Sequence, residues 1–455
     1  MNYYNVSLFF IISIILLQSS LVFTQSLPDN IFSYKSRKLL YDAGIDWETL
    51  SVFGPIRFKS IPKKKLKKSN PSSYFDGQVG IRTGNISYGI YGYGYFKYNN
   101  HYYGYLYPTL LKEAKKEYDI RINSMNYKDN RSGIGFENDW AFLQFGRDRE
   151  SWGSGNDIEL ALSENSGTYD YFLLGSNYGK IRVRYIYGFL EQVENEINRY
   201  ITARGFEWTN KKTLLIGLSE TVIYSGQNRS FDIGYMNPIS SHLEIELNNR
   251  LNTIGDTSSN AVWQVHLDYL IKNNFRVSLN YLYDEFVFDR EMEIGKEHGR
   301  AYSIRFAYTP VFSNNHLITL FSSFIYVGTP TFRHGIGTNN FVQSGRPLGW
   351  HGGSDSQEIC IGMKYFNNKN LILNILSGFL ISGEENITRR MFDPYADYLK
   401  GPFPSGEIEE KKYIETNITY WWGKKYSISS LIHLSPNFNM IDLKLNVPIF
   451  EQSKM

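Results

Sequence analysis

One cysteine, Cys360, stands in 455 residues, which excludes an internal disulfide framework and leaves no thiolate cluster for zinc or an iron–sulfur centre. Histidine is also scarce: the eight sit at positions 101, 242, 266, 298, 316, 334, 351 and 433 with no paired ligand spacing, so no metal is expected. No Gly-x-Ser-x-Gly, His-Glu-x-x-His or phosphate-loop motif occurs, so no cofactor is expected and the chain reads as a non-enzyme. Charge of one sign is lacking too. With 48 basic against 45 acidic residues and a net charge of +3, nothing points to nucleic acid. The 20% charged and 42% hydrophobic content is too apolar for disorder and too polar for a helical membrane bundle.

Such basic character as exists is local. Arg57, Lys59, Lys63, Lys64, Lys65, Lys67 and Lys68 form a run without an acid, next to Pro62, Pro71, Ser69, Ser72 and Ser73. It reads as a solvated connector, with contact to phosphate-bearing lipid or an anionic polymer as the alternative. Residues 1–24 carry no Lys, Arg, Asp or Glu and an apolar run from Val6 to Leu17, the pattern of an export signal. An uncleaved N-terminal anchor is the other reading of that run.

What the chain does have is aromatics: 36 Tyr, 30 Phe and 8 Trp, with 38 Gly. Ile31, Tyr34, Leu39, Leu40 and Ala43 recur at helical spacing, predicting one or two short helices within residues 30–48. From about Phe75 the period becomes two. Ile86 to Tyr98, Tyr118 to Met125, Ile181 to Phe189, Val262 to Leu270 and Phe275 to Tyr283 all alternate. In one such run Ile181, Val183, Tyr185 and Tyr187 share a face, while Lys180, Arg182 and Arg184 share the other, so that strand needs a greasy side and a wet side.

About 18 such segments, of roughly 8–12 residues, fill the stretch to Phe450. Short Asn-rich turns such as Lys272-Asn273-Asn274 and Asn367-Asn368-Lys369 alternate loosely with longer connections, among them Tyr224 to Asn260, Val327 to Gln357 and Gly383 to Glu409. Short turns at one end and long loops at the other predict an all-β fold, a large antiparallel outer-membrane barrel of about 18 strands with a short N-terminal periplasmic helical segment. Residues 1–24 are then a signal peptide, 25–74 the helical segment and basic linker, 75–450 the barrel and 451–455 a tail. Tyr102-Tyr103, Tyr169-Tyr171, Tyr281-Tyr283 and Trp421-Trp422 suit interface girdles. A water-soluble exported sandwich or propeller is the competing architecture, and no blade repeat supports it.

The densest polar cluster joins Arg147, Asp148, Glu150, Trp152 and Asp157 among glycines. Guanidinium and carboxylate groups suit sugar hydroxyls, and an indole face suits a pyranose; the same groups equally suit a salt-bridge network bracing a wide lumen. A second cluster sets Trp350, His351 and Asp355 in a Gly-rich loop, and Glu220 lies in a polar strand run. Arg199 with Arg204, and Asp284-Glu285 with Asp289, are further polar sets, for which a wet lumen face is the first explanation. His266 and Asp268 could imitate an acid–base pair, the basis for a barrel-borne hydrolase as an alternative.

The run FGRDRESWGSGNDIELALSENS resembles a segment of the capsule assembly Wzi-like outer-membrane proteins. The likeness continues in order through NRYITARGFEWT, LLIGLSETVIYSG, MNPIS, YLYDEFVFD and SGRPLGWHGGSDS, from about Trp140 to Gln357. Ser154 stands where that family usually has Pro. The resemblance implies a monomeric barrel in the bacterial outer membrane, surrounded by lipid and lipopolysaccharide, with a lectin-like, non-catalytic role in assembling or anchoring capsular or extracellular polysaccharide. By motif, it makes Arg147, Asp148, Glu150, Trp152, Asp157, Glu220, Trp350, His351 and Asp355 candidates for polymer contact or for the lumen network. A porin or solute channel is the alternative function.

Overall fold

Alternating side chains bury one face of a strand only if the sheet has two different solvents, and a sheet this long avoids open edges by closing. The computed structural model describes residues 31–55, 73–85, 87–99, 101–113, 130–138, 140–193, 196–251, 259–272, 274–284, 297–312, 316–395, 401–423, 425–436 and 438–454. The apolar N-terminal segment, the basic run 57–68, the candidate strand Tyr118–Met125, Glu285 and Asp289 lie outside them.

Among the described residues, 18 antiparallel strands close into an up-and-down barrel. They are β1 Ser73–Gly84, β2 Ser87–Tyr98, β3 Tyr102–Tyr107 continued after Pro108 by Thr109–Glu113, β4 Arg131–Glu137, β5 Ala141–Asp148 and β6 Tyr169–Asn177. Next come β7 Ile181–Val193, β8 Ile197–Thr209, β9 Leu214–Gln227, β10 Ser259–Ile271, β11 Phe275–Tyr283 and β12 Arg300–Phe312. The last are β13 Leu317–Val327, β14 Ser356–Phe366, β15 Leu371–Ser382, β16 Glu409–Trp422, β17 Tyr426–Ser435 and β18 Phe438–Lys454, which pairs with β1 to close the ring. The first strand starts at Ser73 and the last runs to Lys454.

The long connections 149–168, 228–258, 284–299, 328–355 and 383–408 all leave one end of the barrel; both sheet termini share the other end with short turns. Strand parity sorts the wall. In β7, Ile181 and Val183 are exposed on the outside while Arg182 and Arg184 point inward, the former to Glu207 at 2.6 Å. Outward Ile216, Leu218, Val265, Ile359, Ile361, Ile441 and Leu443 carry the same apolar belt around the ring. Parity also splits the aromatic pairs. Trp422 is exposed and Trp421 buried inside; Tyr102 is exposed and Tyr103 buried; Tyr169 and Tyr171 are both buried.

The expected N-terminal helix is present as α1, Phe32–Asp42, followed by a 3₁₀ turn at Trp47–Thr49. It enters the short-turn end. Its Leu39, with Ala43 just beyond it, packs on Leu317, Phe366, Ile372 and Trp421, and Lys35 donates to Thr419 Oγ1 at 2.9 Å. Tyr34 joins Tyr93, Tyr95, Tyr103 and Tyr105 of β2 and β3.

Candidate functional site

Asp42 ends α1, where the negative pole of the helix makes a carboxylate unfavourable. Its position is compensated from the barrel wall. Arg305 donates to both carboxylate oxygens at 2.8 and 2.9 Å, Arg276 at 3.1 Å, and Lys364 Nζ lies 3.6 Å away. Burial by itself would raise the Asp42 carboxyl, but Arg305, Lys364 and Arg276 outweigh it and hold the group well below its usual range. Arg276 is anchored in turn by a two-pronged pair with Asp268 at 2.8 Å on each arm.

The segment 149–168 descends from the long-loop end to meet this junction. Asn156 Nδ2 donates to Asp42 Oδ1 at 2.9 Å, and the Ser154 N–H donates to Asn280 Oδ1 at 2.7 Å. Phe53 and Gly54 pair with Trp152 and Ser151 in a two-residue ladder, with the Phe53 and Trp152 rings edge to face at 4.9 Å. Two wall glycines make the room. A Cβ on Gly205 would stand 2.3 Å from the Phe53 ring, and one on Gly217 2.7 Å from Val52. The loop 328–355 closes over this segment: the Trp350 N–H donates to Leu160 O at 3.0 Å and the Ser163 N–H to Leu348 O at 2.9 Å. Elements from both ends of the barrel thus meet inside it around one buried carboxylate.

The sequence-derived candidates fall in several places. Asp148, Glu150 and Trp152 are inside and fully buried: Glu150 accepts from Trp152 Nε1 at 3.0 Å and Tyr171 OH at 2.9 Å, and Asp148 accepts from the Arg149 N–H at 2.9 Å. Asp157 lies 3.9 Å from Lys364 Nζ. Asp355 accepts from Thr329 Oγ1 at 2.8 Å and from the Ser405 N–H at 3.0 Å, tying two long loops together. Trp350 is buried against the His351 ring, and His351 Nε2 lies 3.6 Å from Glu358 Oε1, itself the acceptor of Tyr413 OH at 2.6 Å. Arg147 shares its strand face with exposed Leu143 and Phe145, so it faces outward and pairs with Asp170 at 2.8 Å. Glu220 also faces outward, beneath the 228–251 connection, where it accepts from the His242 N–H at 3.0 Å and Trp263 Nε1 at 2.9 Å.

His266 and Asp268 do not pair with each other. His266 bonds Ser219 Oγ and Asn280 Oδ1, each at 2.9 Å, and the three residues are buried beneath the inner segments. Sequence reasoning missed Asp42, Arg276, Arg305, Lys364 and Asn280. The inward parity of Arg276, Arg305 and Lys364 on apolar strands was the available signal. Nearby, enclosure raises the Glu159 carboxyl to about 7, opposed by Lys38 and reinforced by Asp157 and Glu164.

The outward loops present charge and aromatics to solvent: Arg390 pairs with Glu384 at 2.9 Å and Arg389 with Glu409 at 2.5 Å, beside exposed Phe392. Arg199 and Arg333 hold these loops from inside, Arg199 by donating to the carbonyls of Thr338, Asn340 and Val342.

A closed 18-strand sheet with an apolar outer belt and one-sided long loops defines a β-barrel of the bacterial outer membrane, here with elements docked inside. Among solved structures it is similar to Wzi of Escherichia coli, an outer membrane protein involved in group 1 capsule assembly and a carbohydrate-binding β-barrel. That match has a TM-score of 0.59 and 12% identity, covering 82% of this chain and 84% of that one. OprD of Pseudomonas aeruginosa matches with a TM-score of 0.44 and 10% identity over 85% and 96% of the two chains. No protein-family model matches the chain, and no curated protein matches it in sequence.

Proposed function

We propose that this protein is a closed, non-catalytic outer-membrane barrel that binds capsular or other extracellular polysaccharide at its outward loops and helps assemble or anchor it at the cell surface. The observation that carries the reading is the junction of Asp42 with Asn156 inside the barrel, where a segment from the long-loop end meets the helix from the short-turn end. A solute channel needs a continuous wet path, and buried Trp152, Trp350, Leu160 and Ile158 occupy the interior instead. With transport disfavoured, the exposed loops are left as the working surface. Arg389, Arg390, Glu384 and Phe392 there offer ionic groups and an apolar face, the chemistry that charged sugars and pyranose rings engage. The fold shared with a carbohydrate-binding barrel supports the same reading. The protein acts as a single chain in a lipopolysaccharide-bearing leaflet.

The test is a strain lacking the gene, with cell-bound and shed polysaccharide quantified side by side. Anchoring predicts a loss from the cell fraction and a matching gain in the medium. Unchanged cell-bound polymer with none shed would overturn the proposal.

A further inference from the structure

The connection 228–251 does not project into solvent. It folds against the outer face of β7–β10. Tyr185 donates to Tyr235 O at 2.8 Å, Arg204 to Asn237 O at 3.2 Å, and the Phe231 ring stands 5.0 Å from Tyr200. Parity puts Tyr185, Tyr187, Tyr200, Arg204, Glu220 and Tyr224 on the outside of the wall: each is cross-strand to another of this set or next to one, and the alternate positions Ile186, Ile201, Ala203 and Ile223 belong to the interior core. Uncovered, this patch would turn an Arg204–Glu220 ion pair, 3.1 Å apart, and several phenols toward the membrane. A charge on the lipid face of a barrel is destabilising in a depth-dependent way.

The cover exchanges that surface for another. Its inward residues are Asp232, Tyr235, His242 and Ile245, all buried. The opposite side carries Met236, Ile239, Leu243 and Leu247, with Ile239 89% and Leu247 82% exposed. Directly toward the short-turn end on the same strands, the outer wall continues with exposed Phe206, Ile216, Leu218 and Val265. The apolar face of the connection is therefore continuous with the lipid-facing belt.

We propose that residues 228–251 form a membrane-embedded flap, whose Met236, Ile239, Leu243 and Leu247 sit in the outer-leaflet hydrocarbon while its inner side seals the Arg204–Glu220 patch from lipid. The occupant is the acyl chains of the leaflet, because the face extends a surface that already meets them; an amphipathic segment in that position buries apolar side chains at the headgroup–acyl boundary. The inference rests on the barrel alone and is independent of any polysaccharide.

Spin labels test it. Full-length protein in a Cys360→Ala background, carrying Ile239→Cys or Leu247→Cys, is labelled and reconstituted in phosphatidylcholine vesicles, and collision with oxygen and with a water-soluble nickel chelate is measured. Leu218→Cys gives the lipid reference, and Asp393→Cys, in the long connection 383–408 with its side chain 60% exposed, gives the aqueous one. The flap predicts oxygen-dominated collisions matching Leu218 at both positions. Chelate-dominated collisions matching Asp393 would overturn it, and so would exclusion of both reagents that disappears on dilution with lipid, which would mark contact with a second copy.

Discussion

Asp42 and Arg305, 263 residues apart, form a two-pronged ion pair at 2.8 and 2.9 Å inside the barrel. One is the last residue of the N-terminal helix, and the other is an inward position of β12. The pair fixes where the helix sits and places the carboxylate within reach of Asn156 on the segment descending from the far end.

Removing the carboxylate leaves Lys364, Arg276 and Arg305 facing one another in a buried site. Breaking a buried ion pair by deleting one partner costs about 3–5 kcal/mol. Asp42→Ala is therefore expected to release α1, read as new protease cleavage within residues 32–54 of the reconstituted protein; Asp42→Asn, which keeps the shape and one acceptor, is expected to release it less.

The acid dependence of the interior follows from two carboxyls shifted in opposite directions. The Asp42 carboxyl is depressed in the folded state, so its contribution is present above its unfolded value near 3.8 and is lost as pH falls below it. The Glu159 carboxyl is raised to about 7, so its contribution is present below its unfolded value of 4.5 and is lost as pH rises through about 7. Thermal melts of the docked segments are expected to peak between those limits. Glu159→Gln is expected to flatten the decline between about pH 4.5 and pH 7 and leave the acid limb unchanged.

Trp152 is fully enclosed, with Phe53 on its edge and Glu150 on its indole N–H. Trp152→Ala is expected to cost about 3–5 kcal/mol. Polysaccharide binding per folded molecule, measured on the soluble fraction after refolding, is expected to stay at the wild-type level, because a buried indole offers no face to a sugar.

Gly205 provides the hollow for Phe53. Gly205→Val is expected to expel the 51–54 segment while leaving the strands paired. Protease sensitivity at that segment, with unchanged barrel mobility on unheated gels, checks it.

The barrel was legible because alternation is a local property: Ile181, Arg182, Val183 and Arg184 announce two faces without any knowledge of their neighbours. The helix was legible for the same reason, in the spacing of Tyr34, Leu39 and Ala43. Which polar residue meets which was not, since Asp42 finds Arg305 and Ser154 finds Asn280 across more than a hundred residues of chain. A Trp set among glycines reads alike as a sugar platform or as a packed wedge, and only the Phe53 ring against Trp152 separates the two. Strand parity likewise cannot foresee a loop folding back outside, so Glu220 and Tyr185 read as ordinary strand positions although a connection covers them.

The central claim is that the interior is closed by elements meeting at Asp42, and conductance across a planar bilayer tests it most directly. The purified protein is predicted to insert and stay electrically silent. A steady open-channel conductance of the unmodified chain would contradict it.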